Sequence, residues 1–340
     1  MSGGDFTSIL KRAAAGETLD AAASSRAFAA IMAGEIGEAQ MAAFLTALAL
    51  RKPTVEEIAG AVKAMRAAMK TLEAPAGALD LVGTGGDGHG TLNISSAASF
   101  VAAACGVPVA KHGNRNMSSR TGAADVLEAL GVKIDLSPEA ARLCIENTGV
   151  CFLFAQSFHP AMKHVAPVRR ALGFRTIFNL LGPLSNPAKV KRQLLGVYAL
   201  EWMEPVAKVL AALGAEKAWV VHGHDGLDEM SISDITHVAV LDHGRVDVTT
   251  VAPEDAGLPR WPLAAVKGGE APENAAALLR LLDGERGAYR DIVLLNTAAA
   301  LVVADKAGDL RQGVLLAAQA IDEGTAKRVL EKLIAVSNSR

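Results

Sequence analysis

The sequence predicts an α/β fold, a largely parallel central sheet flanked by helices, joined to a smaller all-α helical domain. Three observations predict it. Residues 1–74 carry helical periodicity and no strand pattern; from Pro75 short apolar runs alternate with helical stretches; and the first such run empties into a glycine-rich loop that opens a helix. With 340 residues the chain exceeds what one hydrophobic core usually serves, so two domains are expected, a helical one over 1–74 and an α/β one over 75–340.

In the first domain Phe6 to Ala15, Ala21 to Ala33, Glu38 to Leu50 and Val55 to Leu72 repeat apolar residues at three- and four-residue spacing, punctuated by Gly16, Gly34, Gly37 and Pro53. Thr54 with Glu57 forms a capping box. Four short amphipathic helices bury little alone, so this bundle is expected to pack on the rest of the chain or on a second copy, and it is the candidate dimer surface. Strands are then expected at Leu79 to Val82, Val107 to Lys111, Val150 to Ala155, Leu194 to Ala199 and Ala218 to His222. Helices are expected between them at Ser95 to Cys105, Ala123 to Leu130, Pro138 to Thr148, Ala161 to Leu172 and Glu204 to Leu213. Ser137 and Pro138 supply an N-cap and first helical position, and Gly149 a stop. Thr236 to Val251 reads as a hairpin turning at Asp242-His243-Gly244-Arg245. Helices at Glu273 to Asp283, Tyr289 to Ala304, Leu310 to Ile321 and Ala326 to Val336 close the chain.

Thirty-four basic and 36 acidic residues leave a net charge of −2, so bulk charge offers no attraction to nucleic acid or an anionic membrane. Three cysteines without metal-ligand spacing read as buried free thiols of a reducing compartment. With no signal peptide and no apolar run of about 18 residues, a cytoplasmic protein is expected.

The chemistry concentrates at strand ends, where ligands bind on parallel sheets. Gly83, Gly85, Gly86, Gly88 and Gly90 surround Asp87 and lead through Thr91, Asn93, Ser95 and Ser96 into a helix. Such a loop turns free N–H groups and a positive helix end toward an anion, phosphate above all. It lacks the lysine of a Walker loop, and no acidic residue follows about 20 positions later to meet a ribose, which disfavours a dinucleotide. The second strand ends in Lys111-His112-Gly113-Asn114-Arg115-Asn116-Met117-Ser118-Ser119-Arg120, a cationic loop expected beside the first, so a ligand with two separated phosphates is implied. Asp228-Glu229, after the strand ending at His222, form a pair suited to Mg²⁺, which takes one or two protein carboxylates and completes its shell with water and phosphate. His222 and His224 lack a third ligand for zinc. Arg169 and Arg170, ahead of an apolar loop, offer a planar fork for a small carboxylate.

Gly83-Thr-Gly-Gly-Asp87 with Thr91 and Asn93-Ile94-Ser95, then Lys111-His-Gly-Asn-Arg115, then Arg169-Arg170-x-Leu-Gly-x-Arg-Thr-Ile-Phe-Asn-Leu-Leu-Gly-Pro-Leu184, then Asp228-Glu229, together resemble the anthranilate phosphoribosyltransferases of tryptophan biosynthesis. The resemblance runs nearly end to end, through Glu273-Asn274-Ala275 and Asn296-Thr-Ala-Ala-Ala-Leu. It implies transfer of the phosphoribosyl group of PRPP to the amine of anthranilate by a homodimer, with a helical domain completed by helices from about 165 to 185 and with two Mg²⁺ ions. Carried over residue by residue, PRPP contacts fall on Gly83, Gly86, Asp87, Thr91, Asn93, Ile94, Ser95 and Ser96. They continue on Lys111, His112, Gly113, Asn114, Arg115, Asn116, Met117, Ser118, Ser119 and Ala123. Gly83, Asn114 and Arg169 match anthranilate contacts, and Ser95, Asp228 and Glu229 the metal ligands. Ala123 stands where a serine is common, and Gln156 and Phe158 depart from the pattern near the acceptor channel. No dedicated general base is evident; His112 is the one candidate. Two other readings are weighed: a nucleic-acid-binding relative without activity, which would have lost the metal and anthranilate positions, and a pyrimidine nucleoside phosphorylase, against which Gly113-Asn114-Arg115 speaks.

Overall fold

A computed structural model describes residues 3–115 and 121–339; Asn116, Met117, Ser118 and Ser119, named above as donor contacts, lie outside the described residues. The N-terminal segment folds into α1 (Gly3–Ala14), α2 (Ala21–Met32), α3 (Glu38–Arg51) and α4 (Val55–Ala68). The expected capping box opens α4: the Glu57 amide donates to Thr54 Oγ1 at 3.3 Å, and the Thr54 amide to the Glu57 carboxylate at 2.9 Å. Burial loads that carboxylate further, and it also accepts from the Leu19 amide at 2.8 Å and pairs with Arg51. Helix α4 stops four residues before the expected Leu72, because the Lys70 and Leu72 amides leave the helical ladder to donate to the Phe158 and Pro187 carbonyls.

The α/β part follows in chain order: β1 (Leu79–Gly83), α5 (Ile94–Ala104), β2 (Val109–Gly113), α6 (Ala123–Ala129), α7 (Pro138–Thr148), β3 (Val150–Phe154), α8 (Ala155–Phe158), α9 (Ala166–Leu172) and α10 (Phe178–Leu181). It continues with β4 (Arg192–Gly196), α11 (Met203–Ala212), β5 (Lys217–Gly223), β6 (Thr236–Asp242) and β7 (Arg245–Val251), then α12 (Ala271–Leu282), α13 (Ala288–Val303), α14 (Leu310–Asp322) and α15 (Thr325–Asn338). The seven strands form one sheet in the order β3-β2-β1-β4-β5-β6-β7. The first five run parallel, and the expected hairpin adds the last two antiparallel. The single helix expected over Ala161 to Leu172 is two: a 3₁₀ turn at Pro160–His164, then α9. Pro167 lacks the N–H that a continuous helix would need and instead sits in the first turn of α9, where it is tolerated.

Each face of the sheet has its own core. Leu79, Leu81, Val109 and Leu194 face α5, α7, α13 and α15. Val82, Leu195, Val197, Ala218 and Val220 face the opposite way and join the cluster formed by α2, α4 and α11. That second cluster also contains Val165, Val168, Ile177, Phe178 and Leu184, and Phe178 packs edge-on to Phe28 of α2 at 5.7 Å. All five parallel strands point their carboxyl ends to the same edge, so the loops after β1, β2, β4 and β5 emerge together.

Candidate active site

After β1 the chain turns through Gly85, Gly86, Gly88 and Gly90, all with φ between +61 and +83°. Residues with a Cβ avoid that region, which explains why the loop is built of glycine. Asp87 is held within it, accepting from the His89 amide at 3.1 Å. At the start of α5 the Asn93 side chain does not cap the helix; it accepts from Asn274 Nδ2 at 3.0 Å, which ties the loop to α12.

The Asp228-Glu229 pair reaches across the sheet edge to this loop. Asp228 Oδ2 accepts from the Gly85 amide at 2.6 Å and Glu229 Oε1 from the Ser95 amide at 3.2 Å. Asn296 of α13 grips the next residue on both sides, accepting from the Met230 amide at 2.9 Å and donating to the Met230 carbonyl at 3.0 Å. Burial raises both carboxylates, Asp228 well above the usual range with Asp87 and Glu229 adding repulsion, and Glu229 to about 7 despite the attraction of Lys111. Hard oxygen donors, buried, short of positive charge and fixed by backbone amides, fit a divalent cation. Among the described residues no set of three or more His, Cys, Asp or Glu could hold a metal alone.

Lys111 rises from β2, 4% exposed, and donates to the Leu81 carbonyl at 2.6 Å and to Ser95 Oγ at 3.0 Å. Burial lowers its pKa, while Asp80, Glu229 and Asp228 act the other way. Ser95 thus links the β2 lysine to Glu229 in the loop after β5. Beyond it, Gly113 is needed because a Cβ there would lie 2.7 Å from the Phe152 ring; Ala123 packs close by, with no hydroxyl to offer. Arg115 pairs with Asp125 and Glu128. His112 is buried, its Nδ1 3.1 Å from the Gly182 carbonyl and its Nε2 3.2 Å from His159 Nε2. Burial and the neighbouring His159 hold its pKa well below the ordinary value.

Arg169 lies with its guanidinium 5.8 Å from the centre of the Phe178 ring, and burial lowers its pKa. Its side chain makes no hydrogen bond or ion pair with any described residue. Arg175 stacks 4.4 Å from the Tyr198 ring and donates to the Gly86 carbonyl, joining this segment to the glycine loop. Asn114 is exposed, its side-chain oxygen accepting from the Arg115 amide at 2.8 Å. His222 points Nδ1 at the Val197 carbonyl and His224 contacts His237, so neither enters this cluster. Gln156 is exposed and Phe158 is wholly buried in the sheet's core.

The structure therefore brings together Asp87, Ser95, Lys111, Asp228 and Glu229, residues up to 142 positions apart. Sequence reasoning missed Gly196, where a Cβ would overlap the Asp228 carbonyl, and the buried Asp80 and Asn186. Gly196 ends the observed β4 but falls inside the strand expected over Leu194 to Ala199, and a glycine within a strand pattern, which marks close approach of another backbone, was the available signal.

The same organisation recurs among known proteins. Residues 7–69 match the helical bundle domain of a glycosyl transferase family and residues 76–327 its a/b domain. The chain is 56% identical over 335 residues to an anthranilate phosphoribosyltransferase of Rhodopseudomonas palustris, covering 98% of this chain and 99% of that one. A relative of the same name from Parvibaculum lavamentivorans is 56% identical over 336 residues, 99% and 98% of the two chains. The crystal structure of anthranilate phosphoribosyltransferase from Thermus thermophilus superposes with a TM-score of 0.92 at 46% identity, over 97% of this chain and 99% of that one. The Saccharomyces cerevisiae enzyme in complex with PRPP and Mg gives 0.91 at 30% identity, over 100% and 99%.

Proposed function

The chain belongs to the anthranilate phosphoribosyltransferase family, and on that premise we propose how its residues divide the work. It transfers the phosphoribosyl group of PRPP to the amine of anthranilate, releasing diphosphate, in tryptophan biosynthesis. The observation that carries the assignment of roles is Ser95: its amide meets Glu229, its hydroxyl meets Lys111, and it opens the helix behind the glycine loop.

The glycine loop from Gly83 to Ser96 and the loop from Lys111 to Ser119 with Ala123 hold the donor's two phosphorylated ends. Mg²⁺, two ions in all, would be held by Ser95, Asp228 and Glu229. Once bound it supplies positive charge to the departing diphosphate. Breaking the anomeric bond builds negative charge on that leaving group, and Lys111 and the loop amides are already in place to meet it without reorganising. Arg169 clamps the anthranilate carboxylate, with Gly83 and Asn114 at the same acceptor site, so that the amine faces the anomeric carbon. An arylamine is nucleophilic when neutral, and its ribosylated cation is acidic enough to lose a proton to water or diphosphate. His112 remains the candidate base, neutral as a base must be, although both ring nitrogens are engaged by Gly182 and His159.

The helical domain is residues 1–74 completed by about 165–185, a reading supported by Val165, Val168 and Phe178 in the core shared with α2. It pairs two copies: Leu50 on α3 is 83% exposed, and Ala39 and Ala43 of the same helix are exposed as well. Three free thiols fit a cytoplasmic setting. Loss of anthranilate fluorescence on addition of PRPP and Mg²⁺ tests the reaction. Nucleoside with phosphate, and binding to nucleic acid, serve as the arms for the phosphorylase and nucleic-acid readings.

A further inference from the structure

Strands β1 and β2 are neighbours, each five residues long, yet they share one register pair, Leu79 with Val109. Both flanking ladders, β1 with β4 and β2 with β3, hold five. Continuing the parallel ladder by one rung would bring the Ala110 carbonyl and the His112 amide to Leu81. Instead, side chains take both of these groups and the Leu81 carbonyl as well. The His112 amide donates to Asp80 Oδ1 at 3.0 Å, the Ala110 carbonyl accepts from Asn186 Nδ2 at 2.8 Å, and the Leu81 carbonyl accepts from Lys111 Nζ. Asn186 Nδ2 also donates to Asp80 Oδ2 at 2.7 Å, and Gln193, level with Asp80 on β4, donates its own amide to the Pro183 carbonyl at 3.0 Å. Asp80 is 0% exposed, Asn186 and Gln193 1% each.

We propose that Asp80, with Asn186, is a positioning residue for phosphoribosyl transfer: a wedge that holds the tips of β1 and β2 apart and so fixes Lys111 and its loop against the glycine loop. Burying a carboxylate among backbone groups that could have paired with each other is costly. Ladder pairing would satisfy the same backbone atoms with no charge at all. The wedge therefore serves the gap. Were β2 to zip onto β1, the Leu81 carbonyl would be taken by an amide, Lys111 would lose one of its two anchors, and the two phosphate-facing loops would close on each other. Asp80 touches no substrate in this scheme. It acts through Lys111, and the inference rests on the assignment of Lys111 to the donor.

The test measures kcat, KM for PRPP, KM for anthranilate at saturating PRPP, and PRPP binding stoichiometry by calorimetry with Mg²⁺. The variants are Asp80→Asn, Asn186→Ser and Lys111→Met. Asp80→Asn is isosteric but sets an amide donor against His112 N–H or Asn186 Nδ2, and Asn186→Ser keeps the carboxylate if the first variant does not fold. Both wedge variants are expected to raise KM for PRPP by about tenfold, with binding still one per chain and KM for anthranilate within about twofold of the parent. A merely structural role would lower stoichiometry and kcat together and leave KM for PRPP where it was; that result in whichever wedge variant folds overturns the proposal. If Lys111→Met itself leaves KM for PRPP unchanged, the donor assignment falls, and the wedge proposal with it. A normal KM in Asp80→Asn beside a raised one in Lys111→Met removes the wedge alone.

Discussion

Asp228 Oδ2 accepts a hydrogen bond from the Gly85 amide at 2.6 Å, joining two strand tips 143 residues apart. It gets that close because Gly83 and Gly196 have no side chains: a Cβ on Gly83 would lie 2.5 Å from the same oxygen, and one on Gly196 would overlap the Asp228 carbonyl. The obstruction at Gly196 is backbone, which no rotamer can relieve. Gly196→Ala is therefore expected to destabilise by at least the roughly 1–3 kcal/mol of an overpacked site and to abolish most activity. Thermal melting beside the fluorescence assay decides it; a variant as stable and active as the parent contradicts the geometry.

Arg169→Ala is expected to weaken use of anthranilate by about 1.5–3 kcal/mol, the worth of a charged hydrogen bond, while PRPP affinity stays nearly unchanged. Separate KM values for the two substrates test this. Equal losses for both would place the guanidinium elsewhere than on the acceptor.

For Asp228→Asn and Glu229→Gln, the Mg²⁺ concentration giving half-maximal turnover is expected to rise by tenfold or more. Magnesium titrations that overlay on the parent would remove both carboxylates from the metal site.

Burial lowers the pKa of His159 from 6.5 to about 4, although its hydrogen bond to the Ser185 backbone opposes this. The unfolded chain thus binds the proton that the folded one refuses. This neutral histidine costs no stability above pH 6.5, and stability falls as pH drops from 6.5 toward 4, by about 3 kcal/mol at most. His159→Gln should flatten that part of the acid unfolding curve. An unchanged slope between pH 6.5 and 4 would count against a buried neutral ring.

Leu50→Asp places a charge on the most exposed large apolar side chain of the helical bundle. Should two copies pair through this surface, sedimentation will show the variant shifted to monomer at concentrations where the parent is dimeric. A parent that sediments as a monomer, or a variant that stays dimeric, removes this face as the interface.

Much of this was legible in the residues themselves. Strand and helix positions followed from alternation and from caps such as Thr54 with Glu57, because these signals are local. The glycine loop after β1 announced itself in the same way, since positive φ selects glycine wherever it occurs. Pro167 carried the signal for splitting the helix in its missing N–H, but the periodicity from Ala161 to Leu172 read as one continuous helix. The exit of α4 at Ala68 was not, because it depends on the carbonyls of Phe158 and Pro187, which local sequence cannot bring to it.

Periodicity and glycine spacing specified a parallel sheet with a glycine-rich loop at a strand end, and they did so because both act over a few residues of backbone. Which groups meet was decided by strand order: with β4 inserted between β1 and β5, Asp228 must pass over Gly196 to reach Gly85, and no local pattern marks that crossing. The splitting of β1 from β2 is of the same kind. Asp80 reads as one polar residue in an apolar run until the fold delivers Asn186 to its side, and only then does its burial have a partner and its charge a place.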